Sequence, residues 1–182
     1  VLTSNRSIGD AIEKMIDTSS YMKTENELRG QLARDDRKEF NHIMLAREHF
    51  PGVHEWPPMT KMLYDNICDG AREQFKSAFI RRRATVFECP NFAHKVGAVK
   101  TPYSLGDADV YCFCSVLVDQ GLFVIWKIPE DELLPTTKTS VTLHVLGPNG
   151  ENSEWQQRIF GRVPRWTTSS RSTAKFVRVF EL

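Results

Sequence analysis

The stretch from Lys95 to Cys114, KVGAVKTPYSLGDADVYCFC, ends a short apolar run on Lys100 and then places Asp107 and Asp109 after a turn. Paired carboxylates hold a hard cation such as Mg²⁺ through oxygen, and a nearby lysine orients an attacking water or offsets charge that develops on a phosphate. Glu88, in the preceding run ATVFEC, is a third carboxylate within reach in sequence. The same residues also suit a plain β-turn, where aspartate is common because it bonds its own backbone. Strand alternation sharpens the test, because the acid or amide two residues before a lysine shares its face. That position is Ala98 for Lys100 and Ala93 for Lys95, and neither can hold a ligand. His94 stands alone beside them and reads as an ordinary hydrogen-bonded or surface histidine.

The elements that must position these groups divide the chain in two. Ser7 followed by Asp10 reads as a helix start, with Ile8, Ile12, Met15 and Ile16 at helical spacing. Thr24 and Glu27 form a capping box for a second helix, whose stripe is Leu28, Leu32, Phe40, Ile43 and Met44. PGVHEWPP, Pro51 to Pro58, breaks helicity. Thr60 is then expected to cap a third helix with Leu63, Ile67, Ala71, Phe75, Ala78 and Phe79 on one side, weakened at Gly70. Beyond Arg83 the runs become short and β-branched. DVYCFCSVLV and LFVIWKI, joined by Asp119–Gly121, read as a long hairpin. PEDELL starts a short helix, SVTLHVL is a strand, 155–160 is helical, and AKFVRVFEL closes as a strand. The expected organisation is a helical arm over 1–50, a proline-rich linker over 51–59, and an α+β domain over 60–182.

A content of 41% hydrophobic and 26% charged residues is that of a folded domain, and no apolar run reaches the ~20 residues that span a bilayer. The first ten residues have no apolar signal region, and the start at Val1 reads as a fragment. Cys68, Cys89, Cys112 and Cys114 are not spaced as a zinc or disulfide framework. They read as small buried side chains in a reducing compartment, nucleus or cytoplasm. A net charge of +1 hides two basic clusters. One is Arg81, Arg82 and Arg83. The other, from Trp155 onward, holds six basic residues against one acid, including Arg158, Arg162, Arg165 and Arg171. Trp166 stands among these arginines, a mixture that suits phosphate contact and base stacking.

The order of strand, strand ending in AVKT, turn, acid and long hairpin resembles the restriction-endonuclease-like (PD-(D/E)xK) nuclease superfamily. The resemblance rests on GDADVYCFCSVLVDQGLFVIWKIPEDELL and covers roughly 83–145. It implies a mixed β-sheet flanked by helices behind an N-terminal helical arm, and a Mg²⁺-dependent cleavage of DNA. It implies Asp107, Asp109 and Glu88 as metal ligands and Lys100 as the electrostatic catalyst. Arg81 to Arg83, Arg158, Arg162, Arg165, Trp166 and Arg171 would then contact the nucleic acid. With Ala98 where the partner acid belongs, the implied site is degenerate or unusual. The competing expectation is a non-enzymatic module whose N-terminal helices bind a protein partner or a second copy of the chain.

Overall fold

Cys68-Asp69-Gly70-Ala71 decides the architecture of the first half of the domain. Asp69 (φ 49°) and Gly70 (φ 82°) both lie in the left-handed region, which closes a two-residue hairpin turn. The computed structural model describes residues 38–59, 62–145, 153–162 and 173–182. The helix expected from Ser7, and the start of the one expected from Thr24, lie outside these residues.

Helix α1 (Lys38–His49) opens the described chain. Strand β1 (His54–Glu55) follows inside the proline-rich stretch expected to be a linker. Then come β2 (Asn66–Cys68), β3 (Ala71–Ser77), β4 (Phe79–Arg81) and β5 (Val86–Cys89). A small ribbon, β6 (His94–Val96) and β7 (Val99–Thr101), precedes the long pair β8 (Val110–Leu117) and β9 (Leu122–Pro129). Helix α2 (Glu130–Leu133), strand β10 (Val141–Leu143), helix α3 (Ser153–Phe160) and strand β11 (Val177–Glu181) complete the order. The main sheet runs β1-β2-β3-β8-β9-β11, with β3 and β8 parallel and the other pairs antiparallel. A second sheet runs β10-β5-β4, and the β6–β7 ribbon stands alone. The α+β class and the mixed sheet are as expected, and so are the long hairpin turning at Gly121 (φ 62°) and the short PEDEL helix.

Two expectations are corrected. The third helix is absent: 66–81 forms β2, β3 and β4 instead. Leu63, Ile67, Ala71, Phe75 and Phe79 recur every four residues, and an even spacing suits strand alternation as well as a helical turn. The Asp-Gly turn settles the choice. Arg81 to Arg83 therefore stand at the end of β4 and in the turn after it, not at a helix terminus. The lysine-bearing run KVGAVKT is likewise not one strand of the main sheet. Gly97 (φ 63°) folds it back on itself, with Val96 opposite Val99.

Helix α1 covers one face of the main sheet. Ile43, Met44, Leu45 and Ala46 pack on Phe75, Cys112, Cys114, Phe123 and Ile125. Its apolar stripe is thus occupied within the domain. The other face carries Tyr111, Phe113, Trp126 and Ile128, covered by Phe87, Cys89 and Leu143 of the second sheet and by Ile159 of α3. Cys112 and Cys114 share a face, as the one-residue spacing requires, and all four cysteines are free. Among the described residues no helix is long and apolar enough to cross a membrane.

On the helix side of β3 a charge is buried. Glu73 is 2% exposed and pairs with Lys127 of β9 at 2.6 Å. It also accepts a hydrogen bond from Asn66 Nδ2 at 2.8 Å, and Asn66 Oδ1 in turn accepts from Arg47 Nε and Nη2 at 3.0 and 2.8 Å. Removing one partner of such a pair strands the other charge. Glu73→Ala is expected to lower unfolding free energy by about 3–5 kcal/mol, while Glu73→Leu with Lys127→Met stays within about 2 kcal/mol of wild type. Urea denaturation of the three proteins checks this, and equal losses in the single and double variants would contradict it.

Candidate functional site

The register set by the Asp69–Gly70 turn pairs Cys68 with Ala71 and Asn66 with Glu73. One step further, the Asp65 amide donates to the Glu73 carbonyl at 2.8 Å, which sets Asp65 beside Gln74. Asp65 Oδ2 accepts from Gln74 Nε2 at 2.7 Å and from the Phe75 amide at 2.9 Å. The Gln74 carboxamide nitrogen also reaches the Phe75 carbonyl at 3.1 Å. Strand alternation puts Lys76 on the same face as Gln74. The Lys76 ammonium stands 3.6 Å from Glu39 Oε1, from the first turn of α1, and 5.7 Å from the centre of the Tyr103 ring. Acid, amide and lysine thus meet at one end of β3, with a second carboxylate alongside.

The electrostatics of the group are strained on the acid side. Burial lifts the Asp65 carboxyl to about 6, and Glu39 adds to the lift, against the Phe75 amide and the Lys76 charge. For Lys76, burial pulls the ammonium down. Glu39, Tyr103 and Asp65 more than offset it, so its pKa is raised and it stays protonated. Burial pushes the Tyr103 hydroxyl up, opposed by Lys76. Perturbed carboxyl and ammonium groups cluster at functional sites and in structural ion-pair networks alike, and this cluster is the candidate among the described residues.

The donor set suits a hard divalent cation such as Mg²⁺. Asp65 supplies carboxylate oxygen, Gln74 an amide oxygen, Phe75 a main-chain carbonyl, and Glu39 a second carboxylate. In the structure the Gln74 NH₂ group donates to two of these oxygens at once, so their negative charge is met there by the amide dipole. Rotation of the carboxamide exchanges its nitrogen for oxygen. Among the described residues no three His, Cys, Asp or Glu side chains gather as a metal cluster, so this set depends on amide and carbonyl oxygens.

The residues expected from sequence fall elsewhere. Lys100 lies on the exposed ribbon and donates to Asn91 Oδ1 at 2.6 Å. Asp109 is held by Arg72, with Nη2 to Oδ1 at 2.7 Å and Nε to Oδ2 at 3.0 Å, which keeps its carboxyl below the usual range. Asp107 accepts from the Ser104 amide at 2.7 Å, the ordinary role of an aspartate at a turn. Glu88 pairs with Arg81 at 2.7 Å. Glu88, Asp107 and Asp109 do not converge. Of the basic residues, Arg158 pairs with Glu181 at 2.8 Å and Arg162 donates to the Arg83 carbonyl at 3.0 Å. Arg82 and Arg83 are exposed. Arg165, Trp166 and Arg171 lie outside the described residues.

Asp65, Gln74, Lys76 and Glu39 were missed by sequence reasoning because 60–80 reads as a helix. The signal was present: Gln74-Phe75-Lys76 has an amide two residues before a lysine, the spacing that Ala98 fails.

No protein-family model matches the chain, and no curated protein matches it. Among solved structures it is similar to a bacterial homing endonuclease, with a TM-score of 0.43 and 15% identity over 58% of this chain and 73% of that one. At that TM-score the likeness carries no weight for the site, which stands on its own geometry.

The raised Asp65 carboxyl gives a signed pH dependence. Its folded-state pKa of about 6 lies above the ordinary 3.8, so the folded state holds the proton more tightly. The stability it contributes is present below the unfolded value and lost as pH rises through 6. Wild type minus Asp65→Asn unfolding free energy is therefore expected to fall by about 2–3 kcal/mol between pH 4 and pH 7, without divalent cation. Urea denaturation across that range checks it, and a constant difference would count against a desolvated Asp65.

Proposed function

We propose that this chain is a divalent-cation-dependent nuclease that cleaves DNA phosphodiesters at Asp65, Gln74, Lys76 and Glu39. The observation that carries the reading is the single face of β3 on which an amide and a lysine two residues apart meet a part-buried aspartate from the residue just before β2. That spacing is the one expected of the restriction-endonuclease-like superfamily, transferred from Lys100 to Lys76.

A bound Mg²⁺ supplies Lewis acidity toward a phosphate oxygen and lowers the pKa of its water. Asp65 and, once its carboxamide rotates, Gln74 would hold the cation, and the Phe75 carbonyl would offer a third oxygen. Lys76 is kept charged by Glu39 and Tyr103. Its ammonium orients the attacking water and offsets the negative charge that grows on the phosphate as the new bond forms. Glu39, half exposed at the start of α1, lies 3.6 Å from the Lys76 ammonium, where it steadies that charge. Burial makes the charge–charge terms stronger here than at an open surface.

Lys76→Ala is expected to lower kcat for cleavage of supercoiled plasmid in Mg²⁺ by about 10²–10³, the loss usual for one charge-stabilising donor. Asp65→Asn is expected to abolish cation-dependent cleavage, whereas Asp107→Asn keeps the wild-type kcat. Wild-type rates in both Lys76→Ala and Asp65→Asn would sink this assignment, and loss of cleavage in Asp107→Asn alone would return the site to the 100–109 segment.

A further inference from the structure

The β6–β7 ribbon has an exposed surface that the rest of the fold touches, on its lysine face, through the Lys100 bond to Asn91 Oδ1 at 2.6 Å. Its register sets Lys95 directly opposite Lys100, and both are exposed. Like charges facing each other across a strand pair are destabilising, so the pairing disfavours the isolated ribbon. On the opposite face Val96 and Val99 also stand opposite one another near the Gly97 tip, 63% and 66% exposed. A slender two-stranded finger with two cations on one face and two valines on the other thus projects from the domain.

Its base is rigid. Phe92, just before β6, and Tyr103, just after β7, are 0% and 4% exposed. Their rings lie 5.1 Å apart, and both pack at 5.2 Å on Tyr111 of β8. The His94 ring sits 5.4 Å from Tyr103. Tyr103 is also the ring beside the Lys76 ammonium. The finger is therefore mounted on the wall of the candidate site, and its position relative to Lys76 is fixed by one shared aromatic side chain.

We propose that the β6–β7 ribbon enters the major groove of duplex DNA beside the cleavage site, with Lys95 and Lys100 on phosphates. The choice of nucleic acid as the anion rests on the nuclease reading. The shape then selects the duplex: the B-form major groove, about 12 Å wide, admits a two-stranded ribbon, while the deep narrow groove of A-form RNA does not. The valines suit contact with thymine methyl groups on the groove floor. Phosphates draped over Lys95 and Lys100 remove the repulsion between them.

Fluorescence anisotropy of a labelled DNA duplex, in EDTA and over a range of KCl, tests the ribbon without cleavage. Each phosphate contact adds about 0.9 to the slope of log affinity against log salt, so Lys95→Gln with Lys100→Gln is expected to reduce the slope by about 2. Restoring charge with Lys95→Arg and Lys100→Arg returns it. Lys95→Glu separates binding from folding, since it puts opposite charges across the strands. Its melting temperature is expected to hold or rise while DNA affinity falls about tenfold or more. An unchanged slope in the double glutamine variant overturns the proposal, as does an RNA duplex of equal length bound as tightly with the same loss in the variant. Plasmid cleavage in Mg²⁺ by the wild type is read in parallel. Cleavage with an unchanged slope removes the ribbon and leaves the nuclease. A reduced slope without wild-type cleavage leaves the ribbon as a DNA contact and removes the nuclease.

Discussion

A two-residue turn leaves no freedom in the register of the strands that it joins, and most of this domain depends on the one at Asp69–Gly70. Both residues need positive φ, which an Asp-Gly pair tolerates better than almost any other. Once Cys68 faces Ala71, Asn66 must face Glu73, and Asp65 comes beside Gln74. A slip of one residue would turn every side chain of β3 to the other face of the sheet. Phe75 would then leave the cluster under α1, and Gln74 and Lys76 would enter it. The apolar contacts of Phe75 with Leu45 and Cys112 and the polar contacts of Asp65 thus depend on a single geometric choice.

The parallel pairing of β3 with β8 needs a crossover, and everything from β4 to β7 is carried in it. Arg72 ties the two ends of that excursion together. Its side chain grips Asp109 through two nitrogens, its amide bonds the same carboxylate at 2.8 Å, and its carbonyl accepts the Asp109 amide at 2.9 Å. The pair is partly solvated, so its value lies in alignment more than in free energy. With β8 fixed in this way, Tyr111 and Phe113 form the bed on which Phe92 and Tyr103 rest. Tyr103 then meets Lys76. Asp109, a metal-ligand candidate by sequence, here joins β8 to β3 through Arg72.

Sequence read the second half of the domain well and the first half poorly, and the reason is physical. β8 and β9 are long, almost wholly apolar and joined at a glycine, so neither could be mistaken for a surface helix. β2 and β3 are short and their burial is divided between polar and apolar residues, with Glu73 and Gln74 among the buried. The apolar residues there recur every four positions, a spacing that both periodicities accept. Local pattern therefore could not choose between helix and strand, and the Asp-Gly turn, read as a weak point in a helix, was the deciding signal. The candidate site went unseen with it. The run that carries Lys100 turns at Gly97, so Lys100 is not on a strand of the main sheet. Applied to Lys76, the face rule finds Gln74.

Glu73 and Asp65 show why one buried carboxylate of this hairpin is structural and its neighbour is a better candidate for chemistry. Glu73 lies in β3 and Asp65 just before β2, and they project to different surroundings. Glu73 has both oxygens matched, one by the Lys127 ammonium and one by Asn66, and Asn66 is itself held by Arg47. Nothing in that arrangement improves if a cation arrives. Asp65 receives its two hydrogen bonds from described residues on one oxygen, both from neutral groups, and it faces the like charge of Glu39. Its nearby cation, Lys76, is shared with Glu39 and Tyr103. Burial lifts the Asp65 pKa to about 6, Glu39 adds to the lift, and the Phe75 amide and Lys76 offset only part of it. On the proposed reading a divalent ion would be held by Asp65 with the oxygens of Gln74 and Phe75. The satisfied pair maintains the sheet, and the unsatisfied one leaves electrostatic energy to be gained on binding, which is what a cation site requires.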